Sequence, residues 1–147
     1  MAETKPSGPS GRTPHAPEPV GIVLVSHSDA LARGLRELLL QIGGIDLAVA
    51  VAGGTDDGRL GTSYRRIADA ITSVDKGSGV VVLTDLGSAV LTARSVLTDL
   101  ADRGPASVLV DAPFVEGAVA AAVIAGTGAD VATVRAAAEE AWDARKF

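Results

Sequence analysis

The chain has no cysteine in 147 residues. A disulfide framework and thiolate metal sites are therefore excluded, nothing requires an oxidising compartment, and a cytoplasmic home is expected. A basic surplus is missing too: 13 Lys and Arg stand against 18 Asp and Glu, for a formal charge of −5. The basic residues are scattered rather than striped, so nucleic acid is not an expected partner. No apolar run reaches the roughly 18 residues of a membrane span, and the N-terminus lacks the apolar core of a signal peptide, so a soluble protein away from the membrane is expected. Histidine is nearly absent, with only His15 and His27.

What is present is enough apolar material, 47% of the chain, for one core and by default one domain. Residues 1–19 hold Pro6, Pro9, Pro14, Pro17 and Pro19 with almost no large apolar side chain. Such a segment cannot offset its ordering entropy by burial and reads as a disordered extension. Its charges cancel, Lys5 and Arg12 against Glu3 and Glu18, which leaves the −5 on the body, residues 20–147. His15 is then a solvated tail residue, and His27 is the one imidazole in the part that should fold.

From Val20 onward short β-branched runs alternate with helical patterns. The continuous run VGIVLV (20–25) reads as a buried strand. Ser28 or Asp29 then caps a helix with Leu31, Leu35, Leu38 and Leu39 at helical spacing, stopped by Gly43 and Gly44. Strands are expected at 45–53, 79–85 and 106–113. Helices are expected from Thr62, with Ile67, Ala70, Ile71 and Val74 on one face, at 86–103, at 115–126, and from an Asp130 cap toward Arg145. The alternation predicts an α/β fold: a doubly wound, mainly parallel sheet of order 2-1-3-4, with room for an added edge strand, flanked by helices.

In such sheets ligands sit beyond the carboxyl ends of the strands, where the strand order reverses, here between the first and third strands. His27 follows the first strand and Asp85 the third, so residues about sixty positions apart should meet in one crevice beside helix N-termini that favour an anion. An imidazole with a carboxylate on one ring nitrogen has its other nitrogen free to receive a phosphoryl group. Backbone N–H groups of Gly87 and Ser88, in the small-residue run DLGSA, and the hydroxyls of Ser26 and Ser28 are candidate phosphate donors. Asp56 and Asp57 in GGTDDG read as a solvated turn rather than a metal pair, so neither metal nor cofactor is expected. Glu116 reads as a first-turn helix acid, and Trp142 and Phe147 as packing or interface residues.

Three blocks in register, VSHSDALARG, DLGSAVLTA and APFVEGAVAAA, resemble the phosphotransfer subunits of PEP-dependent dihydroxyacetone kinases, whose leading domain is of the mannose-type enzyme IIA class. The likeness runs from about Gly21 to about Arg145. It implies a cytoplasmic homodimer that accepts phosphate from the phosphohistidine of HPr. That phosphate passes to ADP on the nucleotide-binding subunit DhaL, while DhaK carries dihydroxyacetone. His27 aligns with the family's phosphorylated histidine and Asp85 with its paired carboxylate. Mannose-class sugar transporters tend to show Gly-Thr-His-Gly and Trp-Gly-Gly-Ser-Pro at these blocks, so SHS and DLGSA favour the dihydroxyacetone branch over an enzyme IIA of a sugar transporter. Some members carry HPr-like and enzyme-I-like domains on the same chain; this sequence ends at Phe147, so separate phosphocarriers are expected. A receiver-type domain would need an acidic pair where Ser26, His27 and Ser28 stand. A small-ligand or nucleotide-binding module would be expected to carry a long Gly-rich loop after the first strand.

Overall fold

A computed structural model describes residues 18–102 and 106–147. The expectation of a disordered extension falls, up to residue 17, outside the described residues, as does His15. Four strands, β1 (Gly21–Ser26), β2 (Val49–Gly53), β3 (Val80–Thr84) and β4 (Ser107–Leu109), form one sheet of order β2-β1-β3-β4. Every pairing is parallel. Helices α1 (Asp29–Gly43), α2 (Tyr64–Val74), α3 (Gly87–Leu100), α4 (Phe114–Ala125) and α5 (Val131–Glu140) flank it, and a short 3₁₀ turn (Ala141–Asp143) follows. No further edge strand occurs among the described residues, and none of their helices is long and apolar enough to cross a membrane.

The strand sequences explain why the sheet is covered on both faces. β1 is buried throughout: Ile22 and Leu24 join one apolar cluster while Val23 and Val25 join the other. Val81 and Leu83 of β3 divide from Val80 and Val82 in the same way. Continuous β-branched runs of this kind belong to central parallel strands, and these two strands carry the switch point between them. The first cluster packs under α1, α4 and α5 through Leu35, Leu39, Ala121 and Val134; the second packs under α2 and α3 through Ile67, Ile71, Ala93 and Val96.

Several boundaries differ from the sequence expectations, each for a pairing reason. β1 runs 21–26 rather than 20–25, and β3 loses one residue at each end. β2 starts at Val49, not 45, because its register with β1 begins at Ile22 opposite Val49, while residues 44–47 close a turn through Leu47 N–H to Gly44 C=O. β4 keeps only three residues of the expected eight: its partners on β3 are Val80, Val81 and Val82, and farther on Asp111 N–H donates to Glu139 rather than to a strand. Ser63, not Thr62, caps α2, accepting from Arg66 N–H. Asp130 caps α5 by accepting from Thr133 N–H, but the helix stops at Glu140. On α1 only part of the leucine stripe is buried. Leu35 and Leu39 face the sheet, whereas Leu31 and Leu38 are exposed at 47% and 41%, because a helix lying on a sheet buries a stripe of limited width.

Candidate functional site

The end of β1 and the end of β3 bring His27 and Asp85 together. Asp85 N–H donates to Val25 C=O, which continues the strand pairing past Thr84 and sets the carboxylate beside the residue after β1. His27 Nδ1 lies 3.0 Å from Asp85 Oδ1. The second oxygen, Oδ2, accepts from the His27 backbone N–H and from the Ser26 hydroxyl, both at 2.9 Å. Leu86 N–H adds a fourth bond, to Oδ1 at 2.7 Å. Burial pushes the Asp85 carboxyl up, but the bonds from the His27 N–H and ring, the Ser26 hydroxyl and Leu86 N–H outweigh it and hold the group below the usual carboxylate range. Asp85 therefore stands as an anion, an acceptor only, and Nδ1 must carry the proton.

The opposite ring nitrogen is left with its lone pair. Nε2 lies 2.8 Å from Ser88 Oγ, on the exposed first turn of α3. The His27 side chain keeps 24% of its surface exposed against 9% for Asp85, so the imidazole is open to solvent while its carboxylate is shielded. The two helices beside the ring differ. At α1 the Ser28 hydroxyl already accepts Leu31 N–H, whereas Leu86, the residue before α3, offers no side-chain cap. The Gly87 and Ser88 N–H groups thus follow Leu86, whose own N–H is taken by the Asp85 carboxylate, at the positive end of α3. A side chain at Gly87 would meet open space, so the approach to that turn is clear.

The six residues named from the sequence are thus adjacent in space, but they are not equivalent. Ser88 reaches Nε2 of the ring, Ser28 is a helix cap, and Ser26 is fully buried with its hydroxyl turned to Asp85. Asp56 and Asp57 lie in a turn. Asp57 accepts from Thr55 and Arg59, which lower its carboxyl, and Asp56 accepts from Ser63. No cluster of metal ligands exists among the described residues. Glu116 is in the first turn of α4 and pairs with Lys146 at 2.7 Å. Trp142 is 60% exposed with its indole N–H on Asp111 C=O, and Phe147 is fully exposed.

Sequence reasoning missed the loop that backs the histidine. Gly54 N–H donates to Ser26 C=O and Gly61 N–H to His27 C=O, both at 3.0 Å. Gly61 does so at φ +144, a backbone conformation closed to most side chains. Gly53 is needed for contact: a Cβ there would fall 2.4 Å from Asp29 Cα. The run GGTDDGRLG signalled a loop, but nothing in it encoded which carbonyls it would grip. Leu60, next to Gly61, and Leu86, next to Asp85, are exposed at 78% and 58%.

Residues 21–135 match the family model described as PTS system fructose IIA component, EIIA-man. The chain is 40% identical over 108 residues to the phosphoryl donor subunit DhaM of PEP-dependent dihydroxyacetone kinase 2 from Listeria innocua, covering 71% of this chain and 84% of that one. It is also 40% identical over 131 residues to the DhaM subunit of Escherichia coli, covering 86% of this chain but only 28% of that longer protein. A crystal structure of a protein of unknown function superposes with a TM-score of 0.73 at 35% identity, covering 83% of this chain and 94% of the other.

Proposed function

Because the chain belongs to the mannose-type enzyme IIA family, among the phosphoryl donor subunits of PEP-dependent dihydroxyacetone kinases, we propose that it is a phosphohistidine carrier that takes phosphate from HPr and passes it to ADP held by DhaL. One observation carries this reading: His27 is clamped at Nδ1 by an ionised carboxylate while Nε2 faces the Ser88 hydroxyl on the exposed first turn of α3.

The chemistry follows from that arrangement. The Nε2 lone pair attacks the phosphorus on the donor histidine; the new P–N bond forms as the old one breaks, and the electron pair leaves with the donor imidazole. Nδ1 keeps its proton, so the phosphorylated ring is cationic, and Asp85 stabilises that charge. The Gly87 and Ser88 N–H groups and the Ser88 hydroxyl receive the phosphoryl oxygens, with Ser28 alongside. In the second transfer a terminal oxygen of ADP attacks the same phosphorus and neutral imidazole departs. No proton is consumed in the cycle.

Residues 20–147 are the phosphotransfer domain. Its partners are HPr on the donor side and DhaL with DhaK, the dihydroxyacetone carrier, on the acceptor side. It works as a cytoplasmic homodimer. The exposed Leu60 and Leu86 offer apolar contacts to partners, and contacts that must alternate are weak enough to release. The direct test supplies PEP, enzyme I and HPr, and asks whether the protein gains one acid-labile, base-stable phosphate. Adding DhaK, DhaL, ADP and dihydroxyacetone should then give turnover. A protein that stays unlabelled, or labelled protein that cannot support turnover, defeats the proposal.

A further inference from the structure

Ser26 is a polar side chain with no surface, at the end of a strand that is otherwise Gly21, Ile22, Val23, Leu24 and Val25. A buried hydroxyl is retained only where its bonds are made. Ser26 makes two, and their directions are fixed. The backbone N–H of Ser28 donates to Ser26 Oγ at 3.0 Å, so the Ser26 O–H must point the other way, where Asp85 Oδ2 accepts it at 2.9 Å. The backbone at the start of α1 thus polarises the serine, the serine orients the carboxylate, and the carboxylate holds Nδ1 of His27. A carboxylate turns about its last side-chain bond over a broad, soft torsion. Here Oδ2 is pinned by Ser26 together with His27 N–H, and that sets Oδ1 on the ring.

We propose that Ser26 is a positioning residue that fixes the plane of the Asp85 carboxylate, and with it the Nδ1–H tautomer of His27, and that it does not bind phosphate. This rests on the carrier reading above for its importance to transfer, but not for its effect on the ring. The hydroxyl acts through Asp85 from inside the fold, and a phosphoryl group on Nε2 lies on the far side of the imidazole from it.

Two measurements on the full chain test this, with Ser26→Ala, Ser26→Thr and, should the alanine variant not fold, Ser26→Cys, whose thiol donates weakly. Long-range ¹H–¹⁵N spectra of the unphosphorylated protein report the His27 tautomer without any partner. Single-turnover transfer from phosphorylated HPr, over a range of HPr concentrations, reports the reaction. Expected for Ser26→Ala are a mixed tautomer and a maximal rate lower by roughly tenfold. The HPr concentration at half-maximal rate is unchanged. Threonine restores both readouts and cysteine falls between. An unchanged tautomer in the alanine or cysteine variant overturns the proposal, as does a defect confined to HPr concentration dependence or to the lifetime of the phosphorylated protein. If HPr fails to phosphorylate even the unaltered chain, the carrier reading falls while the spectra still decide the role of Ser26.

Discussion

Asp85→Asn keeps the shape of the side chain and removes what the site uses. The carboxylate accepts four bonds, two on each oxygen: Ser26 O–H and His27 N–H on Oδ2, the imidazole and Leu86 N–H on Oδ1. An amide has one oxygen and one NH₂, so one pair of donors faces another donor. The serine hydroxyl can rotate and the imidazole can change tautomer, but neither backbone N–H can adapt. If the NH₂ takes the place of Oδ2, the part-buried His27 N–H loses its acceptor, costing about 1–3 kcal/mol and several degrees in Tm; if it takes the place of Oδ1, the exposed Leu86 N–H turns to water at a smaller cost. If the NH₂ faces the ring, Nδ1 turns acceptor and the proton moves to Nε2, which can no longer attack. If it faces Ser26, the tautomer survives but the negative charge that stabilises the phosphorylated ring is gone. Both routes slow transfer, by roughly 10²–10⁴-fold. Rapid-quench measurement of phosphate arriving from HPr, with a thermal melt to show that the variant is folded, checks the figure. A folded Asp85→Asn protein that transfers within about threefold of the unaltered chain would refute the reasoning.

Ser88→Ala, on an exposed turn, should leave the melt unchanged and slow transfer about tenfold, because a donor to the phosphoryl group is removed; equal rates would remove Ser88 from the site. The Asp85 carboxyl sits below its unfolded value of about 3.9, so its contribution to stability is complete above that value and is lost as pH falls through the lower folded value. Tm measured from pH 6 to pH 2.5 should therefore fall less in Asp85→Asn than in the unaltered protein, and parallel curves would contradict the assignment. Gly53→Ala forces a Cβ against the backbone of Asp29 and should cost about 1–3 kcal/mol while displacing the start of α1 behind His27. An unchanged denaturation midpoint would show that this contact is not as described.

The fold was legible where periodicity is strong. β1 and β3 are unbroken β-branched runs, and their order in the sheet follows from their being buried on both faces. What pattern alone does not encode is where pairing stops. The alanines of 45–53 and the run 106–113 are compatible with longer strands, yet β2 pairs with β1 only from Val49 and β4 pairs with β3 only over Ser107–Leu109. Leu31 and Leu38 have helical spacing but lie on the flank of α1's buried stripe, and width is not a property of spacing. The site divides in the same way. His27 and Asp85 followed from strand-end logic, because parallel topology places those positions side by side. The direction of the Ser26 hydroxyl did not follow: β1 is buried on both faces, so alternation says nothing about which neighbour a terminal serine will meet. Nor did the sequence tell the two ring nitrogens apart. That distinction needed the atoms of Asp85 on one side of the ring and Ser88 on the other.

The central claim is that phosphate passes through Nε2 of His27, and the most direct measurement is the position of that phosphate. After labelling with PEP, enzyme I and HPr, alkaline digestion followed by chromatography against the two phosphohistidine isomers separates the nitrogens, and NMR of the intact labelled protein reports the same bond in place. A single phosphate on Nε2 of His27, absent from His27→Ala and unaffected by His15→Ala, is expected. Phosphate on Nδ1, on Asp85 as an acyl phosphate, or on a folded His27→Ala protein would contradict it.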